Sequence, residues 1–259
     1  MDLARIGQVL DTTIRPGSFP VAVRLVSSTD EIPEKARRPV RDLKVTMPVC
    51  QGINLARRYG WTMAMSSEDM LCPLGAVTLG LLPAKVKLLD GSYKDPPWVK
   101  NQEVSARIIQ ATPRLEEGRY THLLVAPLSR AEFSPQVLVV YGNPAQIARL
   151  IQAAVFATGE PVNSTSFGCS ACVEEITRPL LTDRCQFIVA GGGDRMWAQT
   201  QDEEIAFALP ISWAERIVEG LEESHRRGMR FPTNSFLTYQ VEFPPDIAEL
   251  MNYLRQEDT

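Results

Sequence analysis

The sequence predicts an α/β or α+β protein, built as a single domain from a mixed β-sheet with flanking helices. Two continuous apolar runs, 121–126 and 136–141, are typical of strands that are covered on both faces. Segments with strand and helix patterns alternate along the chain, which favours helices packed on a sheet. The 259 residues are enough to bury a large core, and they contain no internal repeat, low-complexity tract or convincing linker.

The first half of the chain combines several helices with one strand. Leu3, Ile6 and Leu10 recur at helical spacing, and the β-branched run 21–26 favours a strand. In chain order we predict a helix over 2–13, a strand over 21–26, a surface excursion over 29–42, a helix over 50–59 that ends near Gly60, a small-residue segment over 74–80, a turn-rich connection over 90–98 and a helix over 99–111.

The second half of the chain contains the clearest regular unit. Asn143 is a typical N-cap, and Pro144 suits the first helical position, where a missing N–H costs nothing. In chain order we predict strands over 121–126 and 136–141, a helix from 144 to about 156, a cysteine-bearing helix over about 170–181, strands over 186–190 and 205–209, a helix over 212–225, a strand over 236–243 and a closing helix over 247–254.

Composition and charge exclude several functional classes. The net charge of −4 disfavours nucleic-acid binding, which normally requires a basic face. No segment approaches the roughly 18 uninterrupted apolar residues of a membrane span, and the N-terminus lacks the pattern of a signal peptide. We therefore expect a cytoplasmic protein, a compartment in which structural disulfides are rare.

The five cysteines are the most informative residues of the sequence. Their odd number disfavours a disulfide framework, and Cys169 and Cys172 form a Cys-x-x-Cys. Thiolates suit iron–sulfur clusters, zinc and copper(I), but the chain has only two histidines and no second cysteine pair of this kind. The residues alone leave three interpretations open: buried filler thiols, ligands of a metal or cluster, and redox or nucleophilic cysteines.

A glycine-rich segment, 191–195, follows a predicted strand. Its backbone could bend sharply and present N–H groups to an anion, although it lacks the P-loop lysine and the dinucleotide-binding spacing. The competing structural interpretation is a turn that needs positive φ. Asp194 and Arg195 could bind a ligand carboxylate or pair with nearby charges. The acids at 202–204 are more typical of a solvated turn than of a catalytic pair.

Several short motifs, in order and spacing, are similar to those of one known family. They are Phe19-Pro-Val-Ala-Val-Arg24, Cys50-Gln51, Cys72-Pro-Leu-Gly-Ala76 with Leu79-Gly-Leu81, Val125-Ala-Pro-Leu128, Val140-Tyr-Gly-Asn-Pro-Ala-Gln146, Cys172 with Pro179 and Leu181-Thr182, Gly193-Asp-Arg195, and Asp202-Glu-Glu204 with Leu209-Pro210. The sequence resembles the DUF169 family, bacterial and archaeal proteins of unassigned function. The resemblance runs from about residue 5 to 225, within one domain over 1–259 that ends in an extension over 226–259.

The resemblance also sorts the cysteines. It implies that Cys50, Cys72 and Cys172 occupy cysteine positions of the family, and that Gly191 replaces a further cysteine. A four-thiolate site would then need a substitute ligand. Cys185 is six residues from Gly191, which is about 20 Å along an extended strand. Cys169 is three residues from Cys172, a spacing common in cluster loops, so it is the better substitute.

With this resemblance, the first functional hypothesis is an iron–sulfur protein. The metal ligands would be Cys50, Cys72, Cys169 and Cys172, with Cys185 as a bystander, and the cofactor a [4Fe-4S] cluster. Its role would be electron transfer, redox sensing or reductive chemistry. The expected partner is a redox protein, with no nucleic acid and no membrane, and a homo-oligomer stays open.

Two alternatives come from other functional classes. The first is a cluster-free module that binds a small anionic metabolite or cofactor beside Cys72-Pro73. Its ligand-binding residues would be Gly191, Gly192, Gly193, Asp194 and Arg195. The second alternative is a thiol-dependent enzyme that uses Cys172 or Cys72 as its nucleophile.

Overall fold

The computed structural model describes residues 2–92, 98–232 and 243–256. Within them six strands form one sheet: β1 (Val21–Val26), β2 (Met63–Ser66), β3 (His122–Pro127), β4 (Val137–Gly142), β5 (Gln186–Val189) and β6 (Ile205–Pro210). Their order across the sheet is β2-β3-β1-β4-β6-β5, and helices flank both faces. The predicted single-domain α+β class is therefore confirmed.

The predicted mixed sheet is corrected, because all five pairings between the described strands are antiparallel. Parallel pairing is limited to the isolated bridges Arg37–Met63 and Met47–Met70. A parallel neighbour requires a crossover that returns over one face of the sheet. Here the chain after β4 first forms a helix on one face and then the cysteine-bearing helix on the other, and β6 lies between β4 and β5.

The helices vary in length and type. The α-helices are α1 (Leu3–Thr13), α2 (Val49–Tyr59), α3 (Pro73–Thr78), α4 (Val86–Leu89), α5 (Gln102–Ala111), α6 (Pro144–Val155), α7 (Arg178–Thr182), α8 (Gly192–Ala198), α9 (Ala214–Arg226) and α10 (Pro245–Leu254). Two π-helices span Pro39–Leu43 and Val173–Thr177, and short 3-10 turns span Thr29–Glu31, Ser67–Asp69, Leu128–Arg130 and Ile211–Trp213. No helix in the described ranges is both long and apolar enough to cross a membrane.

Side chains of each strand alternate between two cores. Val23, Val125 and Val139 point to one face, which packs against α2 and the helix that begins beside Cys172. We call this side of the sheet the cysteine face. Leu138 and Phe207 point to the opposite face, which packs against α1, α6 and α9. Because both faces are covered, strands such as β3 and β4 are buried along their whole length, as the continuous apolar runs predict.

Most predicted elements are present, with shifts of a few residues. Helix α5 begins at Gln102 rather than at 99, because Asn101 is its N-cap and accepts from the Val104 amide. At α6, Asn143 forms a full capping box with Gln146, as the sequence predicts in part. Strand β2 and the helices α3, α4 and α8 are additional to the prediction. The predicted strand over 236–243 lies almost entirely outside the described residues, as does most of the 90–98 connection.

Candidate functional site: a thiol and carboxyl cluster on the cysteine face

Four of the five cysteines meet on the cysteine face. Cys50 and Cys172 are buried, whereas Cys72 and Cys169 are partly exposed. Each thiol is close enough to others for their charges to interact: Cys72 raises the pKa of Cys50, of Cys169 and of Cys172. The fifth cysteine, Cys185, packs in the core of the opposite face with no thiol among the groups that affect its pKa.

Three of these cysteines lie where helices begin. Cys50 is the second residue of α2, and Cys72 immediately precedes α3, which has Pro73 at its first position. Cys172 precedes the π-helix Val173–Thr177, which continues into α7. π-helical turns occur frequently at functional sites, because the extra residue redirects side chains. Here all five residues of the turn are buried, including Glu174 and Glu175.

Cys169 lies against the position where the family resemblance implies another cysteine. A Cβ atom built on Gly191 would lie 2.6 Å from the Gly168 carbonyl oxygen and 2.8 Å from the Cys169 Cα. Real Cβ atoms do not approach other atoms this closely, so position 191 has no room for a side chain. The backbone of Cys169 thus occupies the space into which a side chain at 191 would extend.

The glycine segment differs from the predicted positive-φ turn. Gly191 has φ −81°, and Gly192 and Gly193 are the first residues of α8, so the interpretation as a positive-φ turn is wrong. Asp194 is buried rather than facing a ligand at the surface. Arg195 donates to the Gln201 carbonyl oxygen and to Asp202.

Two buried carboxyl groups, Glu175 and Asp194, lie beside the thiols. Tyr141 donates its hydroxyl hydrogen to Glu175 Oε1, while Glu175 Oε2 and Asp194 Oδ1 have no hydrogen-bond partner. Burial, and then the charge of Asp194, raise the pKa of Glu175 to about 8. Burial also raises the pKa of Asp194. An unpartnered buried carboxylate is costly, so this environment favours protons or another cation on the pair.

A buried ion pair, Arg57 with Glu204, lies beside Tyr141. Arg57, only 1% exposed, bonds to both carboxylate oxygens of Glu204 at 2.8 and 3.0 Å, and its guanidinium lies 4.1 Å from the Tyr141 ring centroid. Glu204 also accepts from Arg58 and from the Gln201 amide. Burial alone would raise the pKa of Glu204, but the hydrogen bonds from Arg57 and the Gln201 amide, together with the charges of Arg57 and Arg58, outweigh burial and lower it. The sequence predicts that 202–204 is a solvated turn. For Glu204 this prediction is wrong, because its carboxylate is mostly buried and paired with Arg57.

Burial disfavours the charged thiolate form of the two buried cysteines, Cys50 and Cys172. Burial raises the pKa of Cys172 well above its usual value, and Cys72 and Asp194 raise it further. Burial, followed by Asp194 and Glu175, likewise raises the pKa of Cys50. The start of α2 favours a thiolate at Cys50 by only about 0.3–1 kcal/mol, which is too little to offset burial. A nearby cation would reverse this balance, because it stabilises the charged form.

The donor set suits a thiolate-bound group in chemistry, but it is not preassembled. Four thiols from three chain segments are the ligands that iron–sulfur clusters use. Among the described residues, however, no three His, Cys, Asp or Glu side chains are placed to hold a metal ion. Cys72 and Cys169, the two partly exposed thiols, belong to loop and cap positions rather than helix interiors.

Four residues of the cluster are additional to the sequence prediction: Asn54, Arg57, Tyr141 and Glu175. Arg57 lies seven residues and Asn54 four residues after Cys50, so all three share one face of α2. That periodicity is the one local signal that could have indicated Asn54 and Arg57. Tyr141 lies within an apolar strand and Glu175 within a charged helical pattern, so neither is distinctive in the sequence.

Fold and site together define a class of protein: an antiparallel sheet between two helical layers, with thiols and acids buried together on one face. The chain belongs to the DUF169 family, described as "Uncharacterised ArCR, COG2043", whose model matches residues 9–220. It is similar to the Uncharacterized protein MJ0308 of Methanocaldococcus jannaschii, with 27% identity over 211 residues that cover 78% of this chain and 86% of the relative. No solved structure matches the chain.

Proposed function

We propose that this protein binds an iron–sulfur cluster, of the [4Fe-4S] type, through Cys50, Cys72, Cys169 and Cys172, and that it has an electron-transfer, redox-sensing or reductive role. One observation carries the proposal. Four of the five thiols, from three chain segments, lie close enough for their charges to interact, while Cys185 lies in the other core. Incidental filler thiols would have no reason to gather.

The surroundings of the thiols support the same proposal. Burial and neighbouring acids make thiolates unfavourable at Cys50 and Cys172 in the metal-free chain, so these two thiols are poor nucleophiles. This gives little support to a thiol-dependent enzyme that uses Cys172 as its nucleophile. Anion binding at 191–195 also has little support, because Asp194 is an acid and Arg195 is already engaged. A positively charged iron centre would stabilise the thiolate form of these cysteines, which the metal-free site disfavours.

The site has a defined inner and outer side. Cys50 and Cys172 would hold the group from the buried side, and Cys72 and Cys169 from the partly exposed side. Because the thiols are not at metal-binding distances, binding requires movement of side chains, with least resistance at Cys72 and Cys169. When bound, the cluster would supply one-electron redox chemistry. Electron exchange with a partner protein would take place at the outer side.

The decisive experiment is anaerobic purification from iron-replete cells, followed by iron and sulfide analysis. We expect a brown protein that absorbs near 400 nm, with about four irons per chain. A matched pair of variants tests the ligand set, since both thiols are buried: Cys172→Ser should lose the iron, and Cys185→Ser should keep it. A colourless, iron-free protein, even after reconstitution with iron and sulfide, would refute the proposal. Equal iron loss in the two variants would refute the ligand assignment.

A further inference from the structure

The buried polar atoms without partners are distributed unevenly. Among the described residues, the unpartnered side-chain oxygens belong to Asn54, Glu175, Gln186 and Asp194. All four belong to the cysteine face: Asn54 is on α2, Asp194 is on α8 packed against α2, and Gln186 points the same way as Ile188. The unpartnered nitrogens belong to Arg38, Arg149 and His225. Unmet acceptors are therefore concentrated in one region of the interior.

Three of these oxygens belong to side chains that lie near one face of α2. Glu175 and Asp194 each interact with both Cys50 and Arg57, which lie on the same face of α2. Asn54 lies between those two residues on that face, four residues after Cys50. The three side chains are 4% exposed or less and come from three different helices. We call Asn54, Glu175 and Asp194 the acceptor triad.

The neighbouring donors do not satisfy the triad. The Arg57 guanidinium is engaged by Glu204, Thr200 and Ser18. The Tyr141 hydroxyl bonds to the other oxygen of Glu175. Each buried polar atom without a partner lowers the stability of the fold by about 1–3 kcal/mol. Three such atoms in one region indicate that the site normally holds a bound group. That occupant must bring positive charge or hydrogen-bond donors, because every unmet atom of the triad is an acceptor.

We propose that the acceptor triad binds a divalent cation that prefers oxygen ligands, such as Mg²⁺ or Mn²⁺, beside the thiol site. Carboxylate and amide oxygens are the ligands these ions favour, whereas iron–sulfur clusters use thiolates. Two carboxylates with one amide oxygen are sufficient, since such ions keep several waters. The ion would neutralise the negative charges of Glu175 and Asp194, which are unfavourable in the protein interior.

This site shares no ligand with the proposed cluster. It uses no thiol, so it can be present whether or not iron binds. The cation would also lower the cost of ionised thiols at Cys50, which interacts with both acids. The two sites would therefore be coupled through charge, with the cation favouring ligand thiolates nearby.

Mn²⁺ is the probe, because its EPR signal falls when the ion binds. The metal-free full chain is titrated, and the same titration is repeated on protein purified with iron. We expect about one Mn²⁺ per chain, at least tenfold weaker binding in Glu175→Gln and in Asp194→Asn, and unchanged binding in Asp202→Asn. Asp202 is a matched control, since it is fully exposed on the segment that follows α8. Mg²⁺ should displace the bound Mn²⁺.

Circular dichroism and thermal unfolding show whether a variant loses Mn²⁺ binding because it fails to fold. Mn²⁺ should raise the melting temperature of the unmodified chain and of Asp202→Asn, and leave that of Glu175→Gln unchanged. Glu175→Gln keeps the shape of the side chain and should fold. Absence of Mn²⁺ binding to the unmodified chain at millimolar concentration would overturn the proposal, as would unaltered binding in Glu175→Gln. Iron content is measured separately, so a failure here is distinct from a failure of the cluster proposal.

Discussion

Replacing Gly191 by alanine adds one methyl group where the backbone leaves no space. The new Cβ would lie 2.6 Å from the Gly168 carbonyl oxygen and 2.8 Å from the Cys169 Cα. Both neighbours are backbone atoms, so they cannot swing aside as a side chain could. Gly191 has φ −81°, which alanine adopts readily, and steric overlap is therefore the whole effect.

The expected cost is that of overpacking, about 1–3 kcal/mol. For a chain of this size that corresponds to a fall in melting temperature of roughly 2–10 °C. The strain can be relieved only by moving the segment that carries Cys169. We therefore expect Gly191→Ala also to change the iron content if Cys169 is a ligand.

The adjacent residue supplies the control. A Cβ on Gly192 would meet nothing within 4 Å, and Gly192 is the first residue of α8. Alanine there should be neutral or stabilising by up to about 1 kcal/mol, because it restricts the unfolded chain. Urea unfolding of both variants measures the difference. If the two substitutions have equal effects on the unfolding free energy, the close packing of Gly191 on Cys169 is refuted.

Three further predictions concern the ion pair, the buried acid and a helix crossing. Glu204→Gln should lower the unfolding free energy by about 3 kcal/mol in chemical denaturation, because it leaves the Arg57 charge buried without its partner; Asp202→Asn, at the exposed surface, should change it by under about 0.5 kcal/mol. The raised pKa of Glu175 stabilises the fold fully below about pH 4.5, and this contribution should be lost as pH rises to about 8, by at most about 1.4 kcal/mol per pH unit. Glu175→Gln should remove that part of the pH dependence, and an unchanged profile between pH 5 and 8 would contradict a buried, raised acid. Gly220→Ala should destabilise by about 1–3 kcal/mol despite alanine's better helix propensity, since its Cβ would lie 2.5 Å from a carbonyl oxygen of α6; a rise in melting temperature would disprove this close crossing.

Local patterns predicted the elements whose signals are complete within a short window. Strand β1 has the predicted bounds, and α6 has its predicted cap and first-turn proline. Strand β2 was missed because its four residues, Met63–Ser66, are short and include no β-branched side chain. Helix α8 was missed because it begins with two glycines, which are unfavourable in helices and typical of turns.

The site was predictable only where sequence neighbours or family motifs carried it. The resemblance grouped Cys50, Cys72 and Cys172, and the Cys-x-x-Cys spacing added Cys169. The pairing of Arg57 with Glu204 joins residues 147 positions apart, and no local periodicity indicates such a contact. The same limit applies to Tyr141 and Glu175, which meet only because the π-helix packs on β5 and β6, and β6 is the neighbour of β4 in the sheet. Acidic runs such as 202–204 carry no signal that distinguishes a buried member from exposed ones.

The sheet order has a consequence for when the site can form during synthesis. Cys50 and Cys72 leave the ribosome early, whereas Cys169, Cys172 and Asp194 follow about a hundred residues later. The central strand β4 obtains its second neighbour, β6, only after all of them have emerged. A nascent chain therefore presents two isolated thiols first, and the four thiols of the proposed ligand set come together only after β6 has joined the sheet. Loading of the proposed cluster would be a step that follows folding, so chains truncated before Cys169 should retain no more than half of the thiols of the candidate site.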